Sequence, residues 1–307
     1  MAYNSWYNND ALIATRIIKG IRSIFYFHMY SIFFFGFFLA LLFIFYQMWI
    51  ACVIVIIIFL LIAWARYVEP YYILTRFSHA SVWFTGRYVL ISDLHLWQHK
   101  DDKFLDQVVQ KINSLSNIDA VLIAGDFMLD PPKESLSRLY APLLNISYPV
   151  FAVLGNHDIW YPGPPWREQL VTVLQKYRVT VLQNTFTRLA NGTVLVWLWD
   201  HWWWEDNVDI FDYLHKDDHT IVLVHNPDSI LKYPISHTIA LTLSWHTHWW
   251  QIRIPFLSNY CIPMKSKYYA GFYATAQTLL YVSAGLGEVG LPLRLFNPAT
   301  IDVICLS

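Results

Sequence analysis

Five short motifs in this chain each join a metal-binding side chain to the end of an apolar run. Val89-Leu90-Ile91-Ser92 leads into Asp93-Leu94-His95, Val121-Leu122-Ile123-Ala124 into Gly125-Asp126, and Phe151-Ala152-Val153-Leu154 into Gly155-Asn156-His157-Asp158. Val222-Leu223-Val224 leads into His225, and Leu241-Thr242-Leu243-Ser244 into Trp245-His246-Thr247-His248. Imidazole, carboxylate and amide oxygen form the ligand set of a pair of divalent cations such as Mn, Fe or Zn. In Asp93-x-His95 and His246-x-His248 an extended backbone sends both side chains to one side, so each pair can reach one site. Two cations about 3.5–4 Å apart, bridged by one carboxylate and a hydroxide, polarise a phosphoryl group and supply the attacking oxygen. Asp126 is the natural bridge, His157 the acid toward the leaving oxygen, and Asp158 beside it the residue that orients it.

Each fragment alone is weak. Gly-Asp is commonly a turn, Asn-His-Asp suits a helix cap, and a lone His225 reads as a structural histidine. The conjunction carries the case, because five unrelated turns have no reason to present complementary ligands at one edge of a sheet. His99, His201, His215, His219 and His237 lack that setting and read as surface or packing residues.

The elements that must position these residues follow from the pattern. Short apolar runs predict strands at residues 88–92, 120–124, 150–154, 193–198, 220–224, 239–243, 279–282 and 301–305, and three- and four-residue apolar spacing predicts helices at 103–114 and 165–176. The alternation is that of an α/β domain, whose ligands bind beyond the carboxyl ends of the strands.

Upstream, residues 24–65 form a run of 42 positions with no Asp, Glu, Lys or Arg. One membrane crossing takes about 20 residues, so the run divides into 24–45 and 49–65, hinged at Tyr46-Gln47-Met48. Arg16, Lys19 and Arg22 precede it and Arg66 and Arg76 follow it, which places both ends in the cytoplasm by the positive-inside rule. Residues 1–23 then form a cytoplasmic N-terminal segment, 24–66 a transmembrane hairpin, 67–87 a linker and 88–307 the catalytic domain of a two-span membrane protein. With 56% hydrophobic and 14% charged residues the chain is too apolar for an average soluble protein. A net charge of -1 without a Lys/Arg-rich run argues against a nucleic-acid partner. Cys52, Cys261 and Cys305 are too scattered to imply a disulfide framework.

The motifs together resemble the calcineurin-like metallophosphoesterases, in their bacterial membrane-associated branch, from about Tyr67 to the C-terminus. Residues 245–255 and the tail from Gly285-Leu286-Gly287 through Leu291-Pro292-Leu293-Arg294 look like that branch too. The resemblance implies a double β-sandwich flanked by helices. It implies one metal on Asp93, His95 and His248, the other on Asn156, His225 and His246, Asp126 between them and His157 as the catalytic histidine. The function expected is hydrolysis of a phosphomonoester or phosphodiester, with a lipid-linked one among the candidates, by attack of a metal-bridging hydroxide. The alternative is an inactive membrane scaffold that keeps the fold.

One departure from the family pattern stands out. The family has glycine where this chain has Trp245, Trp249 and Trp250, and the same substitution is read at Trp97, Trp160, Trp197, Trp199, Trp203 and Trp204, around Asp200. Exchanging these nine would move glycine from 11 to 20 and tryptophan from 15 to 6, close to the usual glycine share of about 7%. The expectation is a gene whose UGA codons mean glycine in its own cell and were translated here as tryptophan.

Overall fold

The computed structural model describes residues 3–45, 49–97, 99–159, 163–182, 184–198, 207–234, 239–245, 251–253 and 268–307, and divides into two compact units, residues 1–68 and 69–307. The first unit is a pair of helices, α1 (Tyr3–Phe45) and α2 (Trp49–Tyr67). Helix α1 starts well before the predicted span at residue 24, since residues 3–23 contain no proline and only Gly20 to weaken it. The predicted hinge at 46–48 lies outside the described residues. The helices meet where the Phe33 ring stands edge-on to Phe59 at 4.9 Å and the Cys52 thiol donates to Ala40 O at 3.4 Å. Their outer faces expose Phe34, Phe35 and Ile50. By length and composition Arg16–Ala40 and Trp49–Tyr71 can each cross a membrane.

The second unit is built on two six-stranded sheets. The first, in spatial order, contains β1 (Ile73–Ala80), β12 (Ala299–Leu306), β2 (Gly86–Ile91), β3 (Ala120–Ala124), β4 (Val150–Val153) and β5 (Val179–Val181). Strands β2 to β5 run parallel, and β12 is antiparallel to β2 and parallel to β1. The second sheet contains β10 (Gly271–Ala274), β11 (Leu279–Val282), β9 (Ile239–Ser244), β8 (Thr220–Leu223), β7 (Val194–Trp197) and β6 (Thr185–Arg188), parallel from β11 to β7 with antiparallel strands at both edges. All eight predicted strands are present within two residues of their predicted ends. Strands β1, β5, β6 and β10 are additional, and β1 falls within residues 67–87, read above as a linker.

Strand alternation divides the core into layers. Val89, Ile91, Val121 and Ile123 point to α3 (Asp102–Asn113), α4 (Leu136–Tyr140) and α6 (Arg167–Lys176), where Val108, Leu139 and Leu170 meet them. Tyr88, Leu90, Leu122 and Ala124 point the other way, onto Leu195, Ile221, Leu223 and Leu243 of the second sheet. A third apolar layer, with Val196, Val222, Val224, Phe211 and Ile230, covers that sheet's far face. Helix α3 starts at Asp101, whose carboxylate accepts from Lys103 N and Phe104 N, the usual satisfaction of first-turn amides. A fourth short helix, α5 (Asn156–Ile159), follows β4 directly.

Buried polar bonds bolt the sheets together. Tyr88 OH on β2 lies 2.7 Å from Thr193 Oγ1, beside β7, and accepts from Asn191 Nδ2 at 3.0 Å. Between β11 and β12, Tyr281 OH and Ser283 Oγ donate to the fully buried Asp302 at 2.8 and 2.5 Å. Tyr88→Phe leaves a buried hydroxyl without this partner, so it should cost about 1–3 kcal/mol of stability. The expected readout is a lower urea midpoint at unchanged slope; an unchanged midpoint would remove this bond from the account of how the sheets are held.

Candidate metal centre

Each of the described site residues stands in the turn that follows a parallel strand. Asp93 and His95 follow β2, Asp126 follows β3, Asn156 opens α5 after β4, and His225 lies just beyond β8. These turns are zipped to one another by backbone bonds: Asp93 N to Gly125 O (2.9 Å), His95 N to Asp126 O (3.1 Å) and Leu96 N to Phe127 O (3.0 Å). The zipper holds Asp93, His95 and Asp126 at φ of 51°, 40° and 55°, a left-handed conformation that non-glycine residues keep only where the surroundings impose it. The turns after β3 and β4 touch through two glycines. A Cβ on Gly125 would stand 2.5 Å from Gly155 N, and one on Gly155 would stand 2.1 Å from Asp126 Oδ1.

Within this frame Asp93, His95 and Asp126 bring their ligand atoms within 4.8 Å of one another, all buried. The imidazoles are oriented from behind. His225 Nδ1 lies 2.8 Å from Ala124 O and His95 Nδ1 lies 3.2 Å from Met128 O. A carbonyl only accepts, so both Nδ1 atoms carry the hydrogen, and Nε2 is left as the coordinating atom of each neutral ring. His95 Nε2 lies 3.4 Å from both Asp93 Oδ1 and Asp126 Oδ2; His225 Nε2 lies 3.4 Å from Asp126 Oδ2 and 3.1 Å from Asn156 Oδ1. Ring nitrogens, carboxylate oxygens and an amide oxygen thus converge with their acceptor atoms on a buried point. That is the donor arrangement a divalent cation satisfies, and these residues fit one. Burial first, and the neighbouring charge of Asp126 second, push the Asp93 carboxyl well above the usual carboxylate range.

His157 and Asp158 join the same cluster. His157 N donates to Asp126 Oδ1 at 3.0 Å, and its ring stands edge-on to His95, centroids 4.8 Å apart. The Asp158 carboxylate, expected to orient His157, accepts from the backbone N–H groups of Phe127, Met128 and Gly155 at 2.9–3.1 Å. It ties the turn after β3 to the turn after β4. Burial, and then the charge of Asp126, raise its pKa to about 7.

His246 and His248 lie outside the described residues. The chain leading to them is placed by His225 O, which accepts from Ser244 Oγ at 2.9 Å and from Trp245 N at 3.0 Å. Trp160, Trp199, Asp200, His201, Trp203, Trp204, His237, Trp249, Trp250 and Cys261 are outside the described residues as well. Of the histidines read as packing residues, His219 stacks on Phe84 at 4.6 Å. The buried trio Lys100, Glu288 and Arg294 was not read as part of a site. Glu288 and Arg294 lie within the tail 285–294 singled out above, and nothing local to Lys100 marks it.

The calcineurin-like phosphoesterase family pattern matches residues 86–260. An uncharacterized metallophosphoesterase of Helicobacter pylori (strain ATCC 700392 / 26695) is 31% identical over 69% of this chain and 57% of its own length. The chain therefore spans less than three fifths of that relative. The uncharacterized metallophosphoesterase YkuE of Bacillus subtilis is 32% identical over 80% of this chain and 89% of its own. The UDP-2,3-diacylglucosamine pyrophosphatase LpxG of Chlamydia muridarum is 28% identical over 78% and 91%. With the pattern matched over more than half of its length, and a relative 32% identical across four fifths of it, the chain belongs to the calcineurin-like phosphoesterase family.

Proposed function

We propose that this protein is a membrane-anchored, two-metal phosphoesterase whose ligands are Asp93, His95, Asp126, Asn156, His225, His246 and His248. The observation that carries the reading is the place of Asp126, one carboxylate oxygen 3.4 Å from the coordinating nitrogens of both His95 and His225. That is where a ligand shared by two cations belongs. Bound divalent ions would polarise the phosphoryl group and make water a nucleophile at neutral pH. Asp93 and His95 hold one side of the centre, and Asn156 and His225 the other. His157, fixed through its own amide on Asp126, gives a proton to the leaving oxygen. Asp158 keeps the turns after β3 and β4 in register. The ions are Mn, Fe or Zn.

The substrate is a phosphomonoester or phosphodiester, and a lipid-linked one fits best. Two observations support this: the apolar helices ahead of the catalytic domain, and the likeness to a relative named for a diacylated sugar nucleotide. Residues 24–66 anchor the chain as two spans, with residues 88–307 on the cytoplasmic side. A second reading, an inactive scaffold, is favoured by the indole of Trp245, buried immediately before His246.

Asp126→Asn should abolish most hydrolysis of a chromogenic phosphodiester and lower the metal content toward one per chain. His157→Asn should lower kcat by about 10²–10⁴-fold with two metals retained. Unchanged metal and turnover in Asp126→Asn would sink the assignment, and a metal-loaded but inert parent protein would leave the scaffold. For topology, an impermeant thiol reagent on intact cells should reach Met48→Cys and spare Ser307→Cys, measured against the parent chain. The opposite labelling would put the catalytic domain outside the cytoplasm.

A further inference from the structure

The segment 284–288 approaches the candidate ligands from a point nearly 200 residues further along the chain. Leu286 N donates to Ser92 O at 3.0 Å and Gly287 N to Asp93 O at 2.5 Å. The approach is so close that a Cβ on Gly287 would stand 2.4 Å from Leu94 O and 2.5 Å from Asp93 O. Behind it lies a buried cluster of three charges. Lys100 Nζ donates to Leu286 O and, at 2.8 Å, to Glu288 Oε1. Arg294 Nε donates to the same Glu288 oxygen at 2.9 Å, and its Nη2 donates to Gly287 O at 2.8 Å and Gly285 O at 3.1 Å. Arg294 Nη1 reaches Asn297 O at 3.0 Å. Lys100, Glu288 and Arg294 are each at most 2% exposed.

Burying two cations on one carboxylate is a poor source of stability. What the cluster does supply is geometry, since its donors fix successive carbonyls of the segment that grips Asp93. We propose that Lys100, Glu288 and Arg294 are positioning residues, which set the backbone of Asp93 and His95 for metal binding through the segment 284–288. This rests on the metal-centre reading above.

The test uses the detergent-solubilised full chain, with Mn²⁺ titrated calorimetrically and thermal unfolding followed in parallel. Lys100→Met leaves Glu288 paired with Arg294 and is the variant expected to fold. It should keep the parental melting transition, weaken Mn²⁺ binding about 10–100-fold, and lower kcat while KM stays unchanged. Glu288→Gln, which leaves two buried cations without their carboxylate, should weaken Mn²⁺ binding in the same way and melt at a lower temperature. Parental Mn²⁺ affinity in either folded variant overturns the proposal and leaves the metal-centre reading standing. Failure of both variants to fold overturns it too, by making the cluster a stability element. A parent chain that binds no Mn²⁺, Zn²⁺ or Fe²⁺ overturns both readings.

A second inference rests on a separate observation, the state of three tryptophans. Trp97 holds φ +128°, a region that a bulky side chain rarely adopts. Trp197 is fully buried between the sheets, and its indole N–H has no acceptor among the described residues, a cost of about 1–3 kcal/mol. Trp245 is 2% exposed, and its ring lies 2.7 Å from where a Gly285 Cβ would stand. Glycine would relieve the backbone at the first position, remove the unpaired donor at the second and open space at the third. We infer that the protein its own cell makes carries glycine at 97, 197 and 245, from UGA codons. Sequencing the gene and weighing the native peptides decides the matter. UGA codons with glycine masses are expected at all three positions. UGG at any of them, or a tryptophan mass from a UGA codon, overturns the inference.

Discussion

Asp126 is buried with one carboxylate oxygen equidistant from the Nε2 atoms of two imidazoles, and each ring has its Nδ1 hydrogen committed to a backbone carbonyl behind it. Acceptor atoms do not converge in a dry interior unless the fold forces them together or a cation joins them. Here the fold does the forcing. Backbone bonds between successive turns hold Asp93, His95 and Asp126 in the left-handed region, and the amides gathered by Asp158 stop the turns after β3 and β4 from separating. The strain in the backbone and the repulsion among the side chains are two sides of one arrangement, and a divalent ion relieves the second.

The sandwich makes such an arrangement affordable. Its sheets are apolar on both faces, with helices over the first, the second sheet stacked on it, and a further apolar layer beyond. Parallel strands deliver their turns at a common edge, so residues from both sheets reach one point. Gly125 and Gly155 permit the last close approach, since any side chain at either position would occupy the space taken by its neighbour. Tyr88 and Asp302 then prevent the two sheets from sliding on one another, because each buried polar group has its partner in or beside the opposite sheet.

Family membership and the geometry bear on function from different sides. The family match and the relatives speak for metal-dependent phosphoester chemistry as a class. The placing of Asp126, His157 and Asp158 is what the proposed roles for particular atoms are built on. The first unit adds two helices long and apolar enough to cross a membrane. Against this stands the number of tryptophans that the sequence places around the motifs.

Much of the site was legible in the sequence because it depends on where apolar runs end. Strands β3 and β11 coincide with their predicted limits, since a strand buried on both faces is a continuous apolar run with polar punctuation on either side. The same punctuation named Asp93, Asp126, Asn156 and His225 as neighbours. Strands β1, β5, β6 and β10 were not legible. They are short or lie at an edge, they mix polar with apolar residues, and β1 finds its partner only through the pairing of Ile73 with Ala299. The work of Asp158 was hidden for the same reason. Adjacency in sequence suggested His157 as its partner, and the fold aimed it at amides of a different turn. Lys100, Glu288 and Arg294 are ordinary charged residues until tertiary contacts bury them together. A local pattern records which side of a strand faces oil and where the strand stops. Which acceptor faces which donor across a turn is set by pairings between segments far apart in the chain, and those exist only once the two sheets have closed.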